Sequence, residues 1–253
     1  MLNPFDHPIL VFILSLPGLW ISARFGAALK KRLQDRENDG NDDFDILFGA
    51  TLTLLALIVG FTFSMAVTRY DQRKNLEEQE ANAIGTEYVR AHLLPAADAA
   101  SVRGLLTSYL DQRILFYKST DGEPLRQINA QTAQLQAKMW SAVETPTAAQ
   151  PTMVAALIVT GMNDVLNSQG YTQAAWWNRI PVVAWILLVA ISIFCNILAG
   201  YRAHGKGLIL FLILPIALSI SLFLISDIDS PRHGLIRLQP QNLESLAESL
   251  NSL

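Results

Sequence analysis

The sequence is short of charge, short of cysteine and without any catalytic signature. Charged residues make up 16% of the 253 and hydrophobic residues 51%, where an ordinary soluble domain has about a quarter charged. A chain so poor in charge points to the membrane. The net charge of −3 lacks the broad positive field that nucleic acid requires, so nucleic acid is excluded as a partner. The single cysteine, Cys195, rules out an internal disulfide and leaves the redox compartment open. Set in an apolar run, it reads as a small packing residue. His7, His92, His204 and His233 are scattered, and HExxH, CxxC, GxSxG and glycine-rich phosphate loops are all missing. No catalytic residue, metal-ligand set or cofactor is therefore expected, and the chain does not read as an enzyme. Strand-like alternation, internal repeats and low-complexity tracts are also missing, which leaves an all-α fold.

What is present in quantity is uninterrupted apolar sequence. Residues 46–67, 182–201 and 208–225 are free of charge over 22, 20 and 18 positions, each close to the ~20 helical residues that cross a bilayer core. Residues 8–23 form a shorter apolar stretch containing Pro17 and Gly18. No basic residue precedes it, Arg24, Lys30, Lys31 and Arg32 follow it, and no small-x-small cleavage pattern ends it. It reads as a retained, kinked first span. Four spans divide the chain into 1–67 (spans 1 and 2 with their loop), an extramembrane block 68–181, a hairpin of spans 3 and 4 at 182–225, and a tail 226–253.

An even number of crossings puts both termini and the block on one face. Basic residues near the span ends do not orient it, since the two loops hold seven (Arg24, Lys30, Lys31, Arg32, Arg36, Arg202, Lys206) and the other face six (Arg69, Arg73, Lys74, Arg179, Arg232, Arg237). The flanks of the first span place the loops in the cytoplasm and the block outside. Trp176, Trp177 and Tyr70 are expected at one membrane boundary and Trp20 and Tyr201 at the other.

The block reads as helical throughout. "FTFSMAVTRYDQRK" (61–74) passes from apolar to charged without proline or glycine, so the second span is expected to continue as one helix to Leu94, adding 27 residues and roughly 40 Å. Pro95 stops it. Asp98 is the expected N-cap of a helix to Lys118, and "STDGEP" turns the chain. The next helix has a narrow seam, Leu125, Ile128, Thr132, Leu135, Met139 and Val143, until "TPTAAQP" breaks it. "MVAALIVTGM" (153–162) is too short to span and reads as a buried core helix. In "LEEQE" (76–80), Glu77 and Glu80 share a helix face that could ligate a hard cation. Arg73 and Lys74 lie four residues before Glu77 and Glu78, the spacing of ordinary helix-surface pairing, which is the reading adopted.

Two patterns bear on function. Along the second span Thr53, Ala56, Gly60, Ser64 and Thr68 make a small, weakly polar stripe beside Phe61 and Phe63. Such a stripe either admits a neighbouring helix closely or faces a water-filled path with an aromatic constriction. No span carries a mid-membrane charge, which argues against a pump more than against a passive pore. At the membrane boundary Arg69, Tyr70, Asp71 and Arg73 form a polar cluster. The tail motif "SDIDSPRHGLIRL" supplies Asp227, Asp229, Pro231, Gly234 and Arg237. It reads either as a stop-transfer turn or as a docking element that offers carboxylates to Arg69 and Arg73.

"FGATLTLLALIVGFTFSMAVTRYDQRK", "EEQEANAIGTEYVRAHLLP" and "DIDSPRHGLIRL" together resemble the bestrophin-like bacterial membrane proteins, a family of unknown function, over essentially the whole chain. They are more distantly similar to the bestrophins, anion channels in which four spans, with a helical domain between the second and third, assemble as pentamers around a pore lined by the second span. The resemblance implies a homo-oligomer in the bacterial inner membrane, a pentamer if bestrophin-like, and a small inorganic ion as its cargo. It places Tyr70, Asp71 and Arg73 in the matching boundary segment, and Phe61 and Phe63 in an aromatic neck. It also implies a cytosolic helical domain, opposite to the first-span reading, so the side stays open. The run of tryptophans typical of bacterial bestrophins is absent, and no acidic cluster matching their calcium clasp can be placed. The leading expectation is an oligomeric channel or channel-like membrane protein lined by the second span. The alternative is a membrane-anchored sensor or scaffold whose helical domain binds a partner and whose stripe only packs.

Overall fold

The computed structural model describes residues 4–33, 41–202 and 210–252. Arg36, His204 and Lys206 lie outside the described residues. Within them the chain is all-α, with eight α-helices and no strand, and four helices are long and apolar enough to cross a membrane. This is a multi-pass membrane protein.

Helix α1 (Pro8–Leu33) begins on a proline, runs through Pro17 and extends past the expected end of the first span. Its last turn holds Lys30, Lys31 and Arg32, where cations meet the carbonyl end of the helix dipole. Helix α2 (Asn41–Arg90) is one element of 50 residues, so apolar and charged sequence share a single uninterrupted helix. A 3-10 turn at Ala91–Leu93 leads to Pro95, which sits at the N-cap of α3 (Ala96–Lys118). Asp98, expected at that cap, lies instead inside the first turn, where its carboxylate still faces the positive helix end. Gly122 precedes α4 (Glu123–Ala149) at φ 112°, a conformation that disfavours any residue with a Cβ. The helix passes through Pro146, so the break expected at "TPTAAQP" falls only at its end. Thr152 caps α5 (Met153–Trp177), its hydroxyl accepting the Ala155 N–H at 3.1 Å. Then come α6 (Val182–Arg202), α7 (Leu210–Asp229) and a short α8 (Gln241–Asn251).

The chain forms two compact units. One takes in the described residues up to Arg69 together with Arg179–Ile236, the other Tyr70–Asn178 with the described residues from Arg237 on. In the membrane unit α1 packs along both α6 and α7. The joint is backbone on backbone: a Cβ at Gly26 would strike the carbonyl of Ile197, and one at Gly200 the carbonyl of Ala23. Lipid offers helices no hydrophobic drive to associate, so contact of this kind depends on small residues. Ser226 and Ser230 donate to the carbonyls of Phe5 and Asp6 at 2.7 and 2.9 Å, and Phe5 stacks on Trp185 at 4.6 Å. These contacts fasten the N-terminal turn to the end of α7 and to α6.

The helical unit is built on a conventional apolar core that includes Ile84, Val102, Leu106, Phe116, Met139, Ile158, Met162 and Leu243. The α4 seam meets it through Thr132, Met139 and Val143. Two expectations change here. Trp176 is no membrane-boundary anchor, because it is buried and meets Phe116 and Tyr117 edge-on at 5.0 and 5.5 Å. The start of α5 is only half a core helix. Ala155 and Ile158 are buried while Met153, Val154 and Leu157 are exposed.

Candidate functional site

The stripe on α2 acquires its geometry from the helix period. Leu55, Thr62 and Ala66 are buried and recur at steps close to 3.6, which puts them on one face. Thr53, Ala56, Gly60, Ser64 and Thr68 are all exposed and lie round the other side. A Cβ at Gly49 or Gly60 would meet nothing within 4 Å. The small residues are therefore not used to admit a helix of the same chain. Thr53 and Thr68 donate to the carbonyls of Gly49 and Ser64, each at 2.9 Å, which lets hydroxyls sit in an apolar segment without an orphaned donor. Ser64 makes no such bond among the described residues. Beside the stripe, Ala56, Gly60 and Phe63 border a groove of about 470 Å³ whose opposite wall is Ala217, Leu218 and Ser221 of α7. Phe61 and Phe63 are both exposed.

The boundary residues separate by role. Arg69 lies 3.9 Å from Asp229. Asp229 also takes Arg179 Nε at 3.1 Å and the Ile180 N–H at 3.1 Å, while a second Arg179 nitrogen binds Asp6 at 2.7 Å. Asp229 thus collects positive charge from α2 and from the segment before α6, and Arg179 links it on to Asp6 of the N-terminal turn. Asp227 instead accepts the N–H groups of Leu235 and Ile236 at 2.6 and 2.8 Å, closing the turn through half-buried Pro231. Gly234 lies against Asp227 where a Cβ would collide. Both aspartates stand in the last turn of α7 rather than after the span. The structure thus joins Asp229 to Arg69 and leaves Arg73 with other partners.

Arg73 is buried in the helical unit and donates to the carbonyls of Ala175 and Asn178, each at 3.2 Å, at the negative end of α5. Tyr70 is half-buried, and Asp71 and Arg237 are exposed. Of the acidic run only Glu78 is a surface residue. Glu77 accepts the Asn242 and Leu243 N–H groups at 3.0 and 2.9 Å and so caps α8. Glu80 pairs with Arg113, both fully buried, and accepts the Tyr117 and Thr172 hydroxyls at 3.2 Å. The helix-surface pairing expected for these glutamates is replaced by burial, because their face of α2 points into the core. Burial, the largest influence, acts to lower the Arg113 pKa, but the charge and hydrogen bond of Glu80 together with Tyr109 and Tyr117 outweigh it, and the guanidinium is held above its usual range. Burial, followed by the Glu80 charge, pushes the Tyr109 and Tyr117 hydroxyls up.

Sequence reasoning missed Glu77 and Glu80 as buried anchors, Arg113 as the counter-charge of Glu80 and Arg179 as the partner of Asp229. The one available signal was the three-residue spacing of Glu77 and Glu80. Among the described residues no group of three or more His, Cys, Asp or Glu gathers as a metal would need. The membrane unit also holds an apolar cavity of about 250 Å³ lined by Leu14, Gly18, Trp185 and Ile193 among others. The Ser15 hydroxyl on its wall bonds back to Phe12, and a site with no convergent polar groups has nothing to fix a ligand's orientation.

A family model described as Bestrophin-like domain matches residues 9–243. Among solved structures, a bacterial Bestrophin homolog from Klebsiella pneumoniae is similar at 15% identity and a TM-score of 0.69, covering 96% of this chain and 97% of that one. A single-substitution variant of a bacterial Bestrophin homolog from the same organism gives 13% identity and 0.69, covering 95% and 98%. At such identities the likeness shows the fold. No curated protein matches the sequence.

Proposed function

The chain belongs to the Bestrophin-like family, and from that premise we propose that it is an oligomeric ion channel of the bacterial inner membrane, lined by the membrane-spanning part of α2. The observation that carries this reading is the open face of that helix. Its small and hydroxylated residues, Thr53, Ala56, Gly60, Ser64 and Thr68, are all exposed among the described residues, and no charge interrupts them. A face of this kind suits a passive path for a small inorganic ion, with hydroxyls to replace part of a hydration shell and an aromatic ring to form an apolar constriction. In a homo-oligomer, a pentamer if it assembles as bestrophins do, equivalent faces converge on the axis. Phe63 is the constricting residue in this reading, and Asp71 the first charge beyond the span on the stripe's own face of the helix.

Purified protein reconstituted into planar bilayers tests this directly. Currents are expected, with Phe63→Ala raising conductance and a charge at Ser64 changing ion selectivity. A silent bilayer, or currents indifferent to both substitutions, overturns the reading.

A second reading, a membrane-anchored sensor or scaffold, is favoured by the helical unit's apolar corner. There Trp140, Met153, Val154 and Leu157 are exposed beside an open groove between α4 and α5. An oligomer whose second spans face outward would shift the weight to it.

A further inference from the structure

Glu87 lies on α2 in the helical unit, well beyond the apolar stretch 46–67, and is 0% exposed. Neither of its carboxylate oxygens has a hydrogen-bond partner among the described residues. Gly161 of α5 is pressed against it so closely that a Cβ would collide with Glu87 Oε2 and Arg90 Nη1. The α5 backbone therefore closes over the carboxyl group. The neighbouring buried acids are treated differently: Glu80 and Glu77, about two and three turns back along the same helix, each receive several donors. An ionised group at Glu87 would have given up water and gained no donor in exchange, the arrangement that most disfavours a charge.

We propose that Glu87 is a proton-binding site of the helical unit: it is carried neutral, and its ionisation is coupled to opening of the contact between α2 and α5. The charges that face it are Arg90 on α2 itself and Asp164 on α5. On α3, Arg103 is engaged by the Tyr88 hydroxyl at 2.8 Å, and on α8, Glu244 is paired with Lys118. Burial is the largest influence and pushes the Glu87 carboxyl up to about 8, with Arg90 pulling it down and Asp164 pushing it further up. The folded state thus keeps a proton that the unfolded state loses near the ordinary value of 4.5. Stability is greatest below that value and falls as pH rises toward about 8, by roughly tenfold in the folding equilibrium per pH unit. It levels off above. The inference stands whether or not α2 borders a pore, since each of its readouts is on the helical unit.

The test uses the full-length protein in detergent. Chemical unfolding is measured at pH values from about 5 to about 9 for the parent protein, Glu87→Gln and Asp164→Asn, with infrared difference spectra of the carboxyl C=O band. The parent should show a one-proton slope and a protonated-carboxyl band that disappears near pH 8. Glu87→Gln should lose both, and Asp164→Asn should move the loss of the band to lower pH. The same slope in parent and Glu87→Gln, or a band that survives that substitution, overturns the proposal. Should Glu87→Gln fail to fold, the Asp164→Asn spectrum decides: a shift to lower pH supports the site and an unmoved band rejects it.

Discussion

The two units of this protein solve the same problem, holding helices together, with opposite chemistry. In the membrane unit the decisive contacts are between backbones, Gly26 against Ile197 and Gly200 against Ala23, and the charges gather around Asp229 in the last turn of α7. In the helical unit the core is aromatic and aliphatic, yet a fully buried ion pair, Glu80 with Arg113, sits inside it, and Glu77 anchors the last helix. The difference follows from the solvent. Where lipid removes the hydrophobic drive, shape and close approach must hold helices together. Where water supplies that drive, a domain can enclose charge if each charge is given partners.

The comparison breaks most completely at the glycines. Gly26→Leu or Gly200→Leu should yield no folded protein on extraction, assayed by size-exclusion chromatography in detergent, because the collision is with backbone that has nowhere to move. Next, Arg113→Ala should lower the unfolding free energy of the helical unit by about 3–5 kcal/mol by stranding Glu80. The double replacement Glu80→Leu with Arg113→Met should recover most of that loss. A double variant as unstable as the single would mean that the pair contributes more than mutual neutralisation. Asp229→Ala removes the acceptor of Arg179 and the Ile180 N–H together with the counter-charge of Arg69, and should cost about 1.5–3 kcal/mol, read as a lower thermal midpoint of the membrane unit. Glu77→Ala is expected to cost about 0.5–2 kcal/mol, the usual worth of a helix cap. Its effect should be confined to α8, seen as faster hydrogen exchange over 241–251. Smallest of all, Thr53→Ser on the open face of α2 should leave stability within about 0.5 kcal/mol.

Much of the fold was legible in the sequence because its signals are long. Charge-free runs of 18 to 22 residues announce spans, and a junction without proline or glycine announces a continuous helix. The N-cap of α3 and the break after α4 were displaced because proline is tolerated in a first turn and within a long helix that other contacts hold. Trp176 was misplaced because an aromatic near a span end looks the same whether it faces lipid or a core. Helix α8 has its own apolar spacing, Leu243, Leu246 and Leu250, but only 11 residues. What holds its start is Glu77, 165 positions earlier, and a partner so distant leaves no local trace. The stripe on α2 was legible as a pattern, while its direction required the burial of Leu55, Thr62 and Ala66 on the opposite side.

That direction is where the account of function stands or falls. The most direct measurement is ion flux through reconstituted protein carrying Cys195→Ala, with a single cysteine at Ser64 on the open face or at Leu54 on the flank of the same helix. A charged, water-soluble thiol reagent is then added. Flux through Ser64→Cys should change sharply on modification while Leu54→Cys stays as it was. If the reagent leaves Ser64→Cys unaffected, or acts on both variants alike, the open face of α2 does not line the path.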